Sequence, residues 1–232
     1  MSAVNARVAV IANDPAVPLG RLEPWLGQAA WHSVGSGLPG WDDFDGLVVL
    51  GGPHSVEDVA QADWLARQGQ LMLRCAEAGR PVLAICLGAQ LLAKVSGGTV
   101  AVPAAAGPER GLIELSLRPA ARLDPVLGLV WRRLGSTLWA PSFHSDAITR
   151  LPAGASWLAA SAHCPYHAFR LGSALGLQFH PEAGLELMAS WAEANSATVD
   201  LTGFERWADA LTSLVEAVAE GFLDQVARFS QG

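Results

Sequence analysis

The chain has 232 residues, a length that fits a single α/β domain spanning residues 1–232 with a large core. Hydrophobic residues make up 51%, and the formal net charge is −7 with one lysine, Lys94. This acidic balance argues against nucleic acid or an anionic membrane as the main partner. No apolar run is long enough to cross a bilayer and none reads as a signal peptide, so we expect a cytoplasmic protein.

The first half of the chain alternates short apolar runs with helical patterns. Strands are predicted at residues 7–12, 31–34, 45–50 and 81–85, and helices at residues 19–29, 60–78 and from just after Cys86 through Lys94. Because strands that alternate with helices form right-handed crossovers, we expect a parallel sheet covered on both faces.

The second half is richer in strands, with turn residues between them. Strands are predicted at residues 112–117, 137–143, 157–161, 167–171 and 174–179, helices at residues 184–194 and 203–229, and a loop at residues 101–108. The predicted fold class is therefore α/β, with an open, mostly parallel sheet, helices on both faces and a β-rich second half.

The candidate functional residues come directly after predicted apolar strands. Gly51-Gly52-Pro53 and Cys86 each come immediately after such a strand. Ligands of open α/β sheets bind outside the carboxyl ends of the strands, so we expect these residues to share one site.

Cys86 lies between a predicted strand and a predicted helix, with the small residues Ala84 and Gly88 two places to either side. This pattern is typical of a nucleophile elbow, and a helix N-terminus favours the thiolate. From Cys86 alone, a buried structural cysteine is an equal alternative. The other two cysteines, Cys75 and Cys164, are interpreted as structural. Three sparse cysteines predict no disulfide framework, and because none has metal-ligand spacing we expect no metal and no cofactor.

A thiolate nucleophile needs a base and a group that orients the base. His180 and Glu182 supply both at the end of a predicted strand, on either side of Pro181. A histidine by itself is more often structural, but its strand-end position and the nearby carboxylate favour catalysis. Gly52 and Leu87 would offer backbone N–H groups to an oxyanion, although Gly-Gly-Pro alone indicates only a turn.

These pieces, in this order, resemble the class I (triad-type) glutamine amidotransferases. The matching stretches are residues 51–56 (GGPHSV), 81–90 (PVLAICLGAQ) and 176–182 (GLQFHPE). Residues 144–146 (HSD) and 158–161 (LAAS) bring the resemblance closest to the amidotransferase domain of GMP synthetase and its stand-alone relatives. The resemblance covers most of residues 7–200 and implies a flavodoxin-like sheet.

The resemblance implies that Cys86 is the nucleophile, His180 the general base and acid, and Glu182 the residue that orients His180. It implies that Gly52 and Leu87 hold the oxyanion. A γ-glutamyl thioester would form on the cysteine, ammonia would leave, and water would hydrolyse the thioester.

The substrate implied by the resemblance is L-glutamine or a related γ-glutamyl compound. Gln90, Ser145 and Asp146 fall where the family contacts it. Two residues depart from the family pattern: Ala84 replaces a usual glycine, and His167 stands where close relatives often carry glutamine.

The sequence is compatible with three functions. The first is an amidotransferase that passes ammonia to a separate synthase, since no ATP-pyrophosphatase domain follows within these residues. The second is a hydrolase or transferase that acts on γ-glutamyl peptides or amides by itself with the same triad. The third is a non-catalytic binding protein, which the intact triad disfavours.

Overall fold

The computed structural model describes residues 6–58 and 61–232. In chain order its strands are β1 (Val8–Ile11), β2 (Ala30–His32), β3 (Gly46–Val49), β4 (Val82–Ile85), β5 (Thr99–Ala101), β6 (Glu109–Leu117), β7 (Thr137–His144), β8 (Ala147–Arg150), β9 (Ser156–Ala160), β10 (Ala168–Leu171) and β11 (Ala174–Leu177). Its α-helices are α1 (Glu23–Leu26), α2 (Ala62–Glu77), α3 (Leu87–Val95), α4 (Leu127–Leu134), α5 (Leu185–Ala194), α6 (Gly203–Arg206) and α7 (Ala208–Phe229). No helix in this part of the chain combines the length and the hydrophobicity that a bilayer crossing requires.

Most of these strands join one mixed sheet in the order β2-β1-β3-β4-β11-β10-β9-β6-β7. Neighbours are parallel from β2 to β11 and antiparallel from β11 to β7. Strands β3, β4 and β11 are buried on both faces, which explains their unbroken apolar sequences. Because these three are adjacent and parallel, the segments that follow them emerge at one edge of the sheet.

The core has two layers, one on each face of the sheet. Val48 and Leu83 pack on the face covered by α4 and α7, whereas Val49 and Ala84 pack on the face covered by α2 and α3. Successive side chains of a strand point to opposite faces, so each buried strand contributes to both layers. Phe222 of α7 is fully buried in the first layer.

One predicted helix is much shorter than expected. Residues 19–29 form a 3₁₀ turn (Gly20–Leu22) and the single turn of α1. The backbone here packs against the Glu182 segment: Arg21 N–H donates to the Glu182 carbonyl at 2.9 Å, and a Cβ at Gly20 would overlap that same oxygen. Packing against the Glu182 segment, and not the helical pattern of the sequence, therefore determines the backbone conformation of residues 19–29. Residue 60, where the sequence predicts the next helix to begin, lies outside the described residues.

Two features of the second half were not predicted. Helix α4 begins at Leu127, and upstream of it Asp124 Oδ1 accepts the N–H groups of Val126 (2.9 Å) and Leu127 (2.8 Å), which have no acceptor within the helix. Strands β5 and β8 pair as a small antiparallel sheet, and β5 ends at the first residue of the predicted loop. Both elements are short, and Gly128 inside α4 weakens the helical signal.

Candidate active site

Cys86 occupies a strained turn between β4 and α3. Its φ is 51° and its ψ is −107°, a combination that residues with a side chain rarely adopt. The Cys86 N–H donates to the Leu177 carbonyl of the neighbouring strand at 2.7 Å, and its carbonyl accepts the Gln90 N–H at 3.0 Å. A Cβ at Gly88 would lie 2.6 Å from the Val49 carbonyl oxygen, so only glycine fits there. The turn thus has the form predicted for a nucleophile elbow.

His180 and Glu182 form a buried pair at the end of β11. His180 Nδ1 lies 2.6 Å from Glu182 Oε1, and the two side chains are 4% and 0% exposed. Burial acts to lower the pKa of His180, but the negative charges of the Glu182 carboxylate and of the neighbouring Cys86 sulfur in its thiolate form raise it to about 10. This environment therefore stabilises the imidazolium form.

The other ring nitrogen of His180 is available for chemistry. Nε2 is buried and has no hydrogen-bond partner among the described residues. A Cβ at Gly51 would lie 3.1 Å from His180 Cε1 and 3.3 Å from Cys86 Cβ, so the ring and the thiol flank the same point. The geometry places an unpaired imidazole nitrogen beside the cysteine.

A cleft of about 530 Å³ opens above Cys86. Gly52 and Leu87, the predicted oxyanion residues, both line it. Leu87 is the first residue of α3, so its N–H has no acceptor within the helix. Gly52 must be small, since a Cβ there would lie 2.9 Å from Asn13 Cβ.

The other two cysteines are buried away from this cleft. Cys75 and Cys164 are 0% and 1% exposed, and neither lines the cleft. Burial raises the pKa of each thiol to about 12, which disfavours the free thiolate that nucleophilic attack requires. Of the three cysteines, Cys86 alone has the surroundings of a nucleophile.

The comparisons with known proteins place this site in a family. A family model described as Glutamine amidotransferase class-I matches residues 33–195, which include the elbow and the His180–Glu182 pair. The chain belongs to the class-I glutamine amidotransferase family. The resemblance drawn from the sequence motifs is confirmed.

Curated relatives of this family member include GMP synthases and a γ-glutamyl peptidase. The glutamine-hydrolyzing GMP synthase of Aeropyrum pernix is 34% identical over 191 residues, which cover 78% of this chain and 33% of that protein. The chain thus spans about a third of that relative's length. A relative from Sulfurisphaera tokodaii, named as one subunit of a glutamine-hydrolyzing GMP synthase, is 33% identical over 159 residues (66% of this chain, 77% of the relative). Gamma-glutamyl peptidase 3 of Arabidopsis thaliana is 29% identical over 149 residues (63% and 58%).

Solved structures confirm the predicted fold class. A glutamine amidotransferase of Thermotoga maritima aligns with a TM-score of 0.79 at 25% identity and covers 98% of this chain and 99% of its own. A glutamine amidotransferase of Methylobacillus flagellatus aligns with a TM-score of 0.78 at 22% identity, covering 95% of each chain, and shows the fold alone. The α/β sheet with a β-rich second half is therefore the fold of this amidotransferase family.

The three residues predicted to contact substrate form one wall of the cleft. Gln90, Ser145 and Asp146 all line it. Gln90 Nε2 donates to the Asp146 carbonyl at 2.9 Å and to Gln178 Oε1 at 3.1 Å. The wall is therefore tied to α3, the helix that begins at the elbow.

Gln178 is a site residue that the sequence motifs did not assign. Its Nε2 faces Cys86 Sγ at 3.6 Å, while its Oε1 accepts from Gln90. The Gln90 amide uses its two N–H donors on the Asp146 carbonyl and on Gln178 Oε1. Because the Gln178 oxygen faces Gln90, the Gln178 amide N–H group faces the Cys86 sulfur. Gln178 lies two residues before His180, a spacing that points side chains to the same side of an extended chain.

Arg110 and Trp191 also line the cleft without having been predicted. Trp191 packs edge-on against the His180 ring with 4.8 Å between centroids, and its Nε1 donates to the Ala16 carbonyl at 2.7 Å. Arg110 Nε is buried and unpaired among the described residues. No sequence motif in β6 or α5 marks either residue as part of the site.

Proposed function

We propose that this amidotransferase hydrolyses the side-chain amide of L-glutamine and passes the ammonia to a separate synthase. The observation that carries the proposal is the strained Cys86 turn beside the buried His180–Glu182 pair. Family membership supports it, as does the Sulfurisphaera tokodaii relative, which is named as one subunit of a glutamine-hydrolyzing GMP synthase.

The proposed chemistry begins with the cysteine proton already held on His180 Nε2, and Cys86 Sγ then attacks the amide carbon. Glu182 holds the resulting imidazolium through Nδ1. The N–H groups of Gly52 and Leu87 would stabilise the oxyanion, a contribution typically worth about 10²–10³-fold in rate for one donor. His180 then returns the proton to the leaving nitrogen, ammonia departs, and a γ-glutamyl thioester remains.

Hydrolysis of the thioester uses the same groups in a second half-reaction. His180 Nε2 accepts a proton from water as the water oxygen attacks the thioester carbon. Collapse of the tetrahedral intermediate breaks the carbon–sulfur bond, releases glutamate and returns a proton to the sulfur. Trp191 against the imidazole limits movement of the ring during both steps.

The amino-acid end of glutamine would bind at the wall formed by Gln90, Ser145 and Asp146. Arg110 adds a positive charge to the same cleft, and its unpaired Nε–H suits a carboxylate acceptor. We assign the substrate α-carboxylate to this arginine.

A second candidate is hydrolysis of γ-glutamyl peptides by the chain alone. The Arabidopsis thaliana relative named gamma-glutamyl peptidase 3 favours it. The first half-reaction would be unchanged except that an amine of the peptide leaves in place of ammonia. The two functions therefore differ in the leaving group and in the need for a partner.

Steady-state kinetics distinguish the two functions. Ammonia and glutamate are measured separately with glutamine and with a panel of γ-glutamyl dipeptides, using the purified chain. The amidotransferase function predicts weak release of both products from glutamine, and a rate that rises when a synthase is added. Efficient turnover of a dipeptide without any partner would establish the second function in its place.

Labelling with the glutamine analogue 6-diazo-5-oxo-L-norleucine tests the nucleophile under either function. Mass mapping should place the label on Cys86, and Cys86→Ala should abolish both labelling and turnover. Cys75→Ser is the matched control, because Cys75 is buried away from the cleft and this variant should label normally. A label on Cys164 would overturn the assignment.

A further inference from the structure

Four potential metal ligands meet in the interior beside the cleft. Glu109 begins β6, His144 ends β7, and Cys164 and His167 lie between β9 and β10. One ligand atom from each residue lies within 4.8 Å of all the others, and the four residues are buried. Three separate chain segments thus bring two imidazoles, a thiol and a carboxylate to one dry point.

The hydrogen bonds of His144 direct the lone pair of its Nε2 at a carboxylate oxygen, an arrangement that a cation would stabilise. Its Nδ1 lies 2.9 Å from the Asp146 carbonyl oxygen, which can only accept, so Nδ1 carries a proton. In the neutral ring Nε2 then presents a lone pair to Glu109 Oε2, 3.2 Å away. Two facing lone pairs require a proton or a metal ion between them.

His167 is incompletely satisfied in either neutral form. Nε2 lies 2.6 Å from Glu109 Oε2, whereas Nδ1 is buried without a partner among the described residues. If Nε2 carries the proton, Nδ1 is an unmet acceptor. If Nδ1 carries it, Nε2 directs a lone pair at the carboxylate, as in His144.

The outer contacts of His144 and Glu109 match those of metal ligands. Ligating histidines usually donate their second N–H to a carbonyl or carboxylate, and ligating carboxylates are themselves hydrogen-bonded. His144 has the Asp146 carbonyl in this role, and Glu109 Oε1 accepts from Ser161 Oγ at 2.6 Å.

We propose that Glu109, His144, Cys164 and His167 bind a Zn²⁺ ion. Nitrogen, sulfur and carboxylate oxygen ligands in a four-coordinate arrangement suit zinc. The charges also balance, since Zn²⁺ with one thiolate, one carboxylate and two neutral imidazoles has net charge zero. Binding forms a zinc–sulfur bond in place of the Cys164 S–H bond, and the thiol proton leaves to solvent.

The four protein ligands leave no open position, so the ion has a structural role. His144 directly precedes Ser145 and Asp146, the wall proposed to bind substrate. The zinc would hold this wall in place from behind. His167 stands where close relatives often carry glutamine, and a glutamine at this position would remove one of the two imidazole ligands.

Metal content of the purified, folded chain tests the proposal. The protein is incubated with zinc, dialysed, and measured by elemental analysis, and its affinity is determined by competition with a chromophoric chelator. We expect one equivalent of bound zinc in the unaltered chain. His167→Gln and Cys164→Ser should weaken binding by more than about 100-fold, beyond the ~10–100-fold that loss of an outer contact costs.

His163→Gln is the matched control, because His163 is exposed, neighbours Cys164 and lies outside the cluster. It should retain the full equivalent. Cobalt in place of zinc should give a thiolate charge-transfer band that His163→Gln keeps and Cys164→Ser loses. His167→Gln keeps a polar side chain at this position, so it serves as the decisive variant if Cys164→Ser does not fold.

The proposal is overturned if the folded chain retains no zinc, or if His167→Gln and His163→Gln retain equal amounts. The second result would mean adventitious binding elsewhere on the surface. Neither result depends on glutaminase activity, so failure of the zinc site is separable from failure of the proposed function.

Discussion

Replacing Cys86 by glycine should give a more stable protein than replacing it by alanine. Both substitutions remove the thiol, so both should abolish turnover and both leave the same side-chain space nearly empty. They differ in the backbone, because alanine keeps the Cβ that makes φ = 51°, ψ = −107° unfavourable and glycine does not.

The magnitude follows from two opposing terms. A residue held in a sparsely populated backbone region costs about 1–3 kcal/mol, which alanine retains and glycine relieves. Glycine gains more freedom in the unfolded chain, which offsets about 0.5–1 kcal/mol of that difference. We therefore expect the free energy of unfolding of Cys86→Gly to be higher than that of Cys86→Ala by about 1 kcal/mol. For a chain of this size the difference corresponds to about 2–4 °C in Tm.

Urea unfolding and thermal melts of the two variants measure this difference. Cys75 supplies the control, because it is also buried but lies in helix α2 with helical backbone. There the order should reverse, with Cys75→Gly less stable than Cys75→Ala by about 0.5–1 kcal/mol. If alanine is also the more stable residue at position 86, the turn is not strained and the elbow argument fails.

Glu182→Gln should lower kcat by up to about 10²–10⁴-fold with little change in KM, because the His180 imidazolium loses its charge partner. The same pair should appear in stability against pH. Since the pKa of folded His180 is raised from 6.5 to about 10, its contribution is full below pH 6.5 and is lost as pH rises through 10. The stability gap to Glu182→Gln should narrow across that window, and a constant gap would contradict the pairing. Gly88→Ala should destabilise the chain by about 1–3 kcal/mol and reduce turnover, because its Cβ would lie 2.6 Å from the Val49 carbonyl oxygen. Gly35→Ala has open space around it and should be nearly neutral in the same unfolding assay.

The parts of the fold that the sequence predicted are those with strong local signals. Strands β3 and β4 are buried on both faces, so they appear as continuous apolar runs that end in glycine or cysteine. The elbow was predictable because its steric demands fall on near neighbours, with Gly88 forced by contact with Val49. The constrained residues, Ala84, Cys86 and Gly88, lie within a few positions of each other along the chain, although Val49 itself belongs to the adjacent strand β3.

Features that depend on contacts between residues far apart in sequence could not be predicted from local sequence patterns. The residues 19–29 lose their helix because their backbone packs against Glu182, which is far away in sequence. The proposed zinc ligands come from three segments, so no spacing of cysteine and histidine along the chain indicates them. Gln178 lies inside a recognised motif, but its bond to the Cys86 sulfur becomes evident only when both strand ends are in place.

The two halves of the sheet hold the site by different means. Cys86 and His180 follow adjacent parallel strands, and main-chain hydrogen bonds such as Cys86 N–H to Leu177 fix them relative to each other. The wall at Asp146 lies in the turn between β7 and β8 and is held to the elbow helix through the side chain of Gln90. Ladder bonds in a buried sheet open only with much of the fold, whereas a turn held by side chains can move more easily. We therefore infer that the parallel half sets the chemistry on the cysteine, while the turn sets which γ-glutamyl compound binds.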